Sequence, residues 1–430
     1  MSLKFNLYNA KKLYDIILDS SDTPDYIISK YYYKFKNIGS KDRSFISETI
    51  YTCLRLNTYL SKRYHKKFHI DISLYLLLRY KNLFIHSHSL NYKYLNKIDM
   101  EKLISISEFP AINFNSVYDN FIKDYNDTNM YLEFLPDIII KHTDTDYNLL
   151  AKSLLKSSNS YIWINTSITQ EENKILSEFT ENNIAYSKSN LLPKSFLLHK
   201  RSNIRVTNAY KKGLIESQGD ASQLASKVVN PKDEELILDV CAGAGGKSLH
   251  IASLNKSCTV VANDINSHRL KELPKRTKRL HLHNIKLSIN NNLQNISLPF
   301  KKFDKILIDA PCSGSGTFSK NPLILHNFDI KSLNKIIELQ SEILSSYSKY
   351  LKNNGVLIYA TCSIFKKENQ NIISEFLINN KNFTPYPLIN SLNQNIYSKL
   401  NISETDFSIN LFPHSHNTDG FFISTLQKIS

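Results

Sequence analysis

Two cysteines in this sequence stand where a thiol could do chemistry. Cys312 follows the apolar run "FDKILI" and lies in Asp309-Ala310-Pro311-Cys312-Ser313-Gly314, and Cys362 follows "GVLIYA" in Thr361-Cys362-Ser363. A thiol at a strand-to-loop switch, flanked by small or hydroxylated residues, can be exposed. Helix N-termini or a lysine such as Lys247 can then lower its pKa and make it a nucleophile. Cys53 reads as a core residue, and on thiol chemistry alone Cys241 and Cys258 carry the same reading. The five cysteines are odd in number, widely spaced and without a C-x-x-C pair, so no disulfide framework or structural zinc site is expected and a cytoplasmic location fits.

A second feature is "LILDVCAGAGGKSLHIA", residues 236–252, an apolar run that empties into a glycine loop and then a helix pattern. Such a loop can hold a nucleoside triphosphate, a dinucleotide or S-adenosylmethionine. Counting back from Gly246-Lys247-Ser248 puts Cys241 where a triphosphate-binding P-loop needs its first glycine. Gly243-Ala244-Gly245-Gly246 lengthens into Lys247, with no third glycine at the dinucleotide position. The looser D-x-x-x-G-x-G form survives. Asp239 ends one strand, and Asp264 ends the next ("TVVAND"), where a ribose diol needs an acceptor. S-adenosylmethionine is the expected cofactor.

Strands must position these groups, because an open α/β sheet binds ligands at the carboxyl ends of its strands. After about residue 206 the chain alternates strands and helices to residue 430, as a doubly wound Rossmann-like sheet should. Residues 1–135 read as helical, with apolar residues three and four apart in "AKKLYDIILD" and "DRSFISETIYTCLRLNTYLSKRY" and Ser40 or Asp42 as N-cap. Residues 145–205 read as a small α+β insert: "SYIWINT", a helix in "TQEENKILSEFTENN", then "IAYSKS" and "SFLLHK". Of ten glycines, five (Gly243, Gly245, Gly246, Gly314 and Gly316) fall in two loops, which marks those loops as the site.

The net charge of +15 and pI near 9.3 favour a polyanionic partner such as nucleic acid, although a lysine-, asparagine- and isoleucine-rich composition also follows from an A/T-rich genome. The most apolar stretch, "ISLYLLLRYKNLFI", is cut by Arg79 and Lys81 well short of a membrane span, so no membrane role is expected. The pairs His86/His88, His281/His283 and His414/His416 lack acidic or cysteine ligands nearby, and no metal is expected. The stretch "KYYYKFKN" can be read as an RNA-stacking run or as an amphipathic helix with buried tyrosines.

"DVCAGAGGKS", "DAPCSGSGTFSKNP" and "YATCSIFKKENQ", in that order, resemble the motifs of the Sun/Fmu family of RNA 5-methylcytosine methyltransferases. "GLIESQGDASQLASKVVNP" and "DGFFISTLQK" are similar to its flanking motifs, and "IGSKDRSFISETIYTCLR" resembles the NusB-like helical domain of bacterial 16S rRNA members. The resemblance implies a Rossmann-like S-adenosylmethionine-dependent domain over residues 206–430, an RNA-binding NusB-like domain over 1–135 and an RNA-binding insert over 145–205, in a monomer. It implies that Asp239, Cys241, Ala242, Gly243, Ala244, Gly245, Gly246, Asp264 and Arg269 hold the cofactor, with Lys247 and Asp309 at the border of cofactor and target base. Asn291 is the nearest match to a third cofactor carboxylate, and Ser319 and Gly219 stand where the family has an arginine and an acid. By the same resemblance Cys362 attacks the base, Cys312 helps release the product, and Asp309 contacts the cytosine.

Chemistry asks for such a set. Carbon 5 of cytosine becomes nucleophilic only after a thiolate adds to carbon 6 while a hydrogen bond at N3 stabilises the adduct; a protonated Asp309 could supply that bond. The target must be single-stranded or flipped out. Thiol chemistry alone leaves open which cysteine attacks, because Pro311-Cys312 resembles the nucleophilic P-C pair of DNA cytosine methyltransferases. Competing readings are a tRNA cytosine methyltransferase, a non-catalytic NusB-like RNA-binding assembly factor, and a methyltransferase acting on an exocyclic amine, which would need neither cysteine.

Overall fold

A computed structural model of the chain describes residues 2–20, 22–84, 103, 113–169, 171–199, 203–289, 297–325 and 328–429. His86, His88 and Asn291 lie outside the described residues. The chain divides into two compact units, one made of residues 1–158 with 317–329, the other of 159–316 with 330–430.

The described elements of the first unit are helical: α1 (Leu3–Leu18), α2 (Pro24–Lys34), α3 (Ser40–Arg55), α4 (Asn57–Arg63), α5 (His69–Arg79), α6 (Phe114–Asn126) and α7 (Tyr147–Leu154), with shorter turns between. The Ser2 hydroxyl accepts from the Phe5 amide and starts α1, whose Leu7, Ala10, Leu13, Tyr14 and Ile17 form one buried stripe. In α3 neither expected N-cap serves. Gly39 holds that position, and Asp42 turns inward to accept a 2.8 Å bond from Asn6 Nδ2. The aromatic run on α2 buries Tyr31 and Tyr32 and leaves Tyr33 78 % exposed, so the helix reading describes its inner face. The returning segment is anchored by Ser319, whose hydroxyl donates to Leu154 O at 3.1 Å and whose carbonyl accepts from Arg55 Nε at 3.2 Å.

The second unit opens with an antiparallel sheet of β1 (Ser160–Ile164), β2 (Tyr186–Lys188), β3 (Ser195–Leu198) and β4 (Ile215–Ser217), in the order β2-β3-β1-β4, with α8 (Glu172–Glu181) after β1. The small sheet therefore does not end near residue 205: β4 pairs along β1 with Ile162 opposite Ser217. Nor does it begin at 145, since α7 belongs to the helical unit. The two-residue period of β1 explains how the insert is held. Ile162 and Ile164 face a small core with Phe179 of α8, while Trp163 points the other way into the large sheet's core and stacks on His250 at 4.7 Å.

Next come α9 (Asp220–Val229) and the strands and helices of the large sheet: β5 (Leu236–Asp239), α10 (Gly246–Leu254), β6 (Thr259–Asp264), α11 (Leu273–Arg279), β7 (Ile285–Ile289), β8 (Phe303–Asp309), α12 (Ile330–Ser348), β9 (Leu351–Thr361), α13 (Gln370–Asn379), β10 (Phe383–Pro385), β11 (Ser408–Leu411) and β12 (Phe421–Lys428). The order is β10-β12-β9-β8-β5-β6-β7, with β11 also on β12. Strands β5 to β9 are parallel, whereas β12 runs antiparallel to β9. This is the doubly wound Rossmann-like sheet expected, and both its faces are buried: β5 sends Ile237 to one core and Leu238 to the other. The chain winds from β5 outward to β7, then returns to the far side of β5 as β8. The carboxyl ends of β5 and β8 thus flank the switch point where such sheets bind ligands.

Candidate active site

At that switch point β5 delivers Asp239 and β8 delivers Asp309. Asp239 is fully buried; its Oδ2 accepts from Ser248 Oγ at 2.6 Å, and its Oδ1 is buried without a partner. Burial, with the Asp309 and Asp264 charges, pushes its carboxyl up to about 7 against the opposing pull of the Ser248 bond and Lys247. Asp264, at the end of β6, accepts from the amides of Gly243 and Asn266, both at 2.8 Å. The glycine loop between β5 and α10 is shaped by its neighbours. Gly245, with φ of +78°, packs so closely on α11 that an added Cβ would lie 2.4 Å from Leu273 Cδ1, and Arg276 Nη1 donates to Ala244 O at 2.5 Å. The Ala242 amide donates to Asn263 O at 2.9 Å, and Gly246 begins α10. Beside Gly243 there is open space where a Cβ would stand.

These features fit a cationic nucleoside ligand such as S-adenosylmethionine. They comprise open space beside Gly243, a carboxylate at the end of β6, and an orphaned buried carboxylate oxygen able to face positive charge. Cys241 sits among them. Burial and the carboxylates of Asp309, Asp239 and Asp264 push its thiol up, while Arg269, exposed on the turn after β6, opposes them. Cys241 therefore stays a neutral thiol that packs rather than attacks.

The other half of the site is the pair of reactive loops. Cys312 Sγ and Cys362 Sγ lie 3.3 Å apart, both as free thiols, so the two cysteines read from separate strand ends do meet. Close approach of the backbone makes this possible: Gly316 N donates to Cys362 O at 3.0 Å, and Gly420 N to Gly316 O at 2.8 Å. A Cβ on Gly316 would stand 2.1 Å from Gly420 O. Lys247, on α10, reaches across to Asp309 Oδ2 at 2.5 Å, packs its ammonium 5.3 Å from the Phe421 ring, and lies within electrostatic reach of Cys362. Burial alone would pull Lys247 down, but the Asp309 carboxylate outweighs it and holds the ammonium charged. Asp309 thus faces an ammonium, so the proton expected on its carboxyl is available on Lys247 instead.

For Cys312 the expectation of a lowered pKa is reversed. The hydrogen bond with Cys362, then burial and the charges of Cys362 and Glu368, hold its thiol well above the usual range. Glu368, which sequence reasoning passed over, is fully buried between the two loops. It accepts from Ser313 N at 2.7 Å, Ser313 Oγ at 2.5 Å, Gln340 Nε2 at 3.1 Å and Ser363 Oγ. The available signal was a single acid six residues after Cys362 in "SIFKKENQ". Cys53 and Cys258 are buried, as expected of core thiols.

Comparison with known proteins places this geometry among relatives. The family profile described as 16S rRNA methyltransferase RsmB/F matches residues 226–427. The ribosomal RNA small subunit methyltransferase B of Shewanella oneidensis is 32% identical over 301 residues, 68% of this chain and 67% of the relative. The probable ribosomal RNA small subunit methyltransferase B of Bacillus subtilis is 30% identical over 257 residues, 59% of this chain and 57% of the relative. The 28S rRNA (cytosine-C(5))-methyltransferase of Mus musculus is 34% identical over 240 residues, 53% of this chain and 30% of the relative. The chain thus spans a little over half of the Bacillus relative and under a third of the mouse one. Among solved structures, PH0851 matches with a TM-score of 0.74 and 21% identity over 100% of both chains. NSun6 from Pyrococcus horikoshii with SFG matches with a TM-score of 0.56 and 21% identity, covering 66% of this chain and 94% of that one. At such identities the structural matches show a shared fold.

Proposed function

Because the chain belongs to the 16S rRNA methyltransferase RsmB/F family, we propose that it methylates carbon 5 of a cytosine in RNA, with 16S rRNA the favoured target, through a covalent cysteine–cytosine adduct. The observation that carries this reading is the pair of free thiols, 3.3 Å apart, beside the Lys247–Asp309 ion pair at the switch point. A methyltransferase acting on an exocyclic amine needs no thiol at all.

Asp239, Asp264 and the loop from Cys241 to Gly246, with Arg269, hold S-adenosylmethionine, which when bound supplies an electrophilic methyl group. Cys362 is the attacking thiolate. Its sulfur bonds to carbon 6 of the flipped cytosine, electron density moves to carbon 5, and Lys247, oriented by Asp309, donates at N3. Once Cys362 is a thioether its charge is gone, and with it the leading cause that keeps Cys312 protonated. Cys312 then releases its proton to water and, as a thiolate, removes the hydrogen from carbon 5 after methylation. The electrons of that C–H bond restore the 5,6 double bond and expel Cys362 as thiolate, so protons and charge balance.

The helical unit and the small sheet are the RNA-gripping parts of this reading, the chain acts as a monomer, and the cytoplasm is its place of work. No described helix is long and apolar enough to cross a membrane. The test is to incubate the protein with methyl-labelled S-adenosylmethionine and ribosomal RNA and to identify the labelled nucleoside. Label in 5-methylcytosine is the expected result; label in any other nucleoside refutes the chemistry, and RNA binding without label favours an assembly factor.

A further inference from the structure

Glu368 is a carboxylate with four donors and no cation among them: the Ser313 amide and hydroxyl from the Cys312 loop, the Ser363 hydroxyl from the Cys362 loop, and the Gln340 amide from α12. All four are neutral, and together they occupy both carboxylate oxygens, so the arrangement calls for an acceptor-only group, the ionised acid. The same carboxylate therefore ties both cysteine loops together and places a negative charge near them. The network extends beyond the carboxylate. Gln340 Nε2 also donates to Pro311 O at 2.9 Å, Tyr359 Oη donates to Glu368 O at 2.8 Å, and Asn369 joins Thr361 Oγ1 to Ser363 O with bonds of 2.6 and 2.9 Å.

We propose that Glu368 is a positioning residue that decides which thiol is which: it clamps the two loops so that Cys312 and Cys362 share a hydrogen bond, and its negative charge keeps the shared proton on Cys312. The charge reaches Cys312, for which Glu368 is one of the groups that disfavour ionisation. On the other side, Lys247 brings positive charge within reach of Cys362. The carboxylate charge therefore weighs against ionisation of Cys312. The remaining titratable neighbours do not reverse this. Asp309 is paired with Lys247, while burial holds the Tyr359 hydroxyl and the Cys241 thiol in their neutral forms. Division of labour between two chemically identical side chains then follows from their surroundings.

The proposal rests on the reading of Cys362 as attacking thiol, but its primary readout, the titration of Cys312, needs neither RNA nor methyl donor. Alkylation of the full-length protein with iodoacetamide, followed by peptide-resolved mass spectrometry, gives a separate pH midpoint for Cys312. Replacing the carboxylate by the near-isosteric amide, Glu368→Gln, should lower that midpoint by about one pH unit, since it removes a charge that disfavours ionisation of Cys312. Glu368→Asp keeps the charge but shortens the reach by one methylene. It should leave the midpoint within about half a unit while kcat for RNA methylation falls at least about tenfold and the cofactor Kd stays unchanged. An unmoved midpoint in a Glu368→Gln protein that still binds cofactor would reduce Glu368 to a structural brace and overturn the proposal. If that variant does not fold, Gln340→Met is decisive in its place: with one neutral donor withdrawn and the charge kept, the Cys312 midpoint must rise, and a fall or no movement overturns the idea. Thiol titration as expected, with no methylation of RNA by the parent protein, would leave the role of Glu368 standing and refute the activity.

Discussion

Removing the Ser248 hydroxyl should make cofactor binding sensitive to pH in a calculable way. Among the described residues Ser248 Oγ is the one side-chain donor to the fully buried Asp239, at 2.6 Å, and that bond works against the burial that lifts the carboxyl to about 7. A hydrogen bond to a charged group contributes roughly 1.5–3 kcal/mol, and about 1.36 kcal/mol corresponds to one pH unit, so Ser248→Ala should raise the Asp239 midpoint from about 7 to about 8 or higher. If the cationic cofactor binds only to the ionised carboxylate, the ratio of dissociation constants, variant over parent, follows from the two ionised fractions. For a one-unit rise it is about 10 below pH 6, about 5 to 6 at pH 7, and close to 1 at pH 9. Isothermal calorimetry of S-adenosylmethionine binding across this range measures the ratio directly, and titration of the ligand itself cancels because both proteins see the same ligand. A ratio that stays constant with pH would refute the assignment of Asp239 as the anion facing the cofactor. The sign for folding is opposite. Asp239 holds its proton in the native state up to about 7, whereas the unfolded chain releases it near 4, so this group removes stability from the cofactor-free protein as pH rises through that window.

Other outcomes follow from the same site. Cys312→Ala should accumulate a protein–RNA adduct that survives denaturing electrophoresis, whereas Cys362→Ala should give neither adduct nor product; an adduct in the second alone would exchange the two roles. Gly316→Ala forces a Cβ to within 2.1 Å of Gly420 O, so the loops must part, and activity should fall at least about 100-fold with Tm lowered by several degrees in calorimetry. Lys247→Met leaves Asp309 without its cation and should abolish adduct formation, while Lys247→Arg should keep the charge but lose most activity through its different reach, as adduct gels would show. On the exposed face of α2 and in the turn just after it, Lys30 and Lys36 stand 5.9 and 5.4 Å from the rings of Tyr26 and Tyr33, which are 54% and 78% exposed. Replacing Lys30, Lys34 and Lys36 by alanine should weaken RNA binding and reduce its log–log salt slope by up to about 2, with cofactor affinity unchanged. An unchanged slope would remove this helix from the RNA-binding surface.

The parts legible in the sequence were those encoded locally. Asp239 and Asp309 directly follow apolar runs, Asp264 and Cys362 follow them after one polar residue (Asn263, Thr361), and a parallel sheet turns that one-dimensional cue into a shared edge. Glycine scarcity pointed to the two loops, and there backbone or a side chain does approach too closely for a Cβ at Gly245 and Gly316, as it also does at Gly213, Gly355 and Gly420 elsewhere. What was hidden depends on distant pairing. Cys312 looked like a thiol ready to ionise, and only its 3.3 Å partner and the buried Glu368 show why it keeps its proton. The sheet role of Ile215–Ser217 was likewise invisible in so short a strand, because its register is supplied by β1 some 50 residues earlier. The Ser40 or Asp42 cap failed for the same reason: a distant asparagine, Asn6, competes for the carboxylate.

The return of residues 317–329 to the helical unit has a consequence during synthesis. Domains commonly fold in order as they leave the ribosome, at roughly 5–20 residues per second. Here the first unit lacks its closing piece until residue 329 has been made, some 170 residues after the end of its main segment at residue 158, a delay of about 10–30 seconds. Meanwhile the Leu154 carbonyl and Arg55 Nε lack the Ser319 contacts they make in the finished fold, although Arg55 also pairs with Glu48. A nascent chain arrested before that point should expose the unfinished helical unit to proteases and chaperones, and a ribosome pause placed just after residue 329 has emerged should relieve that exposure.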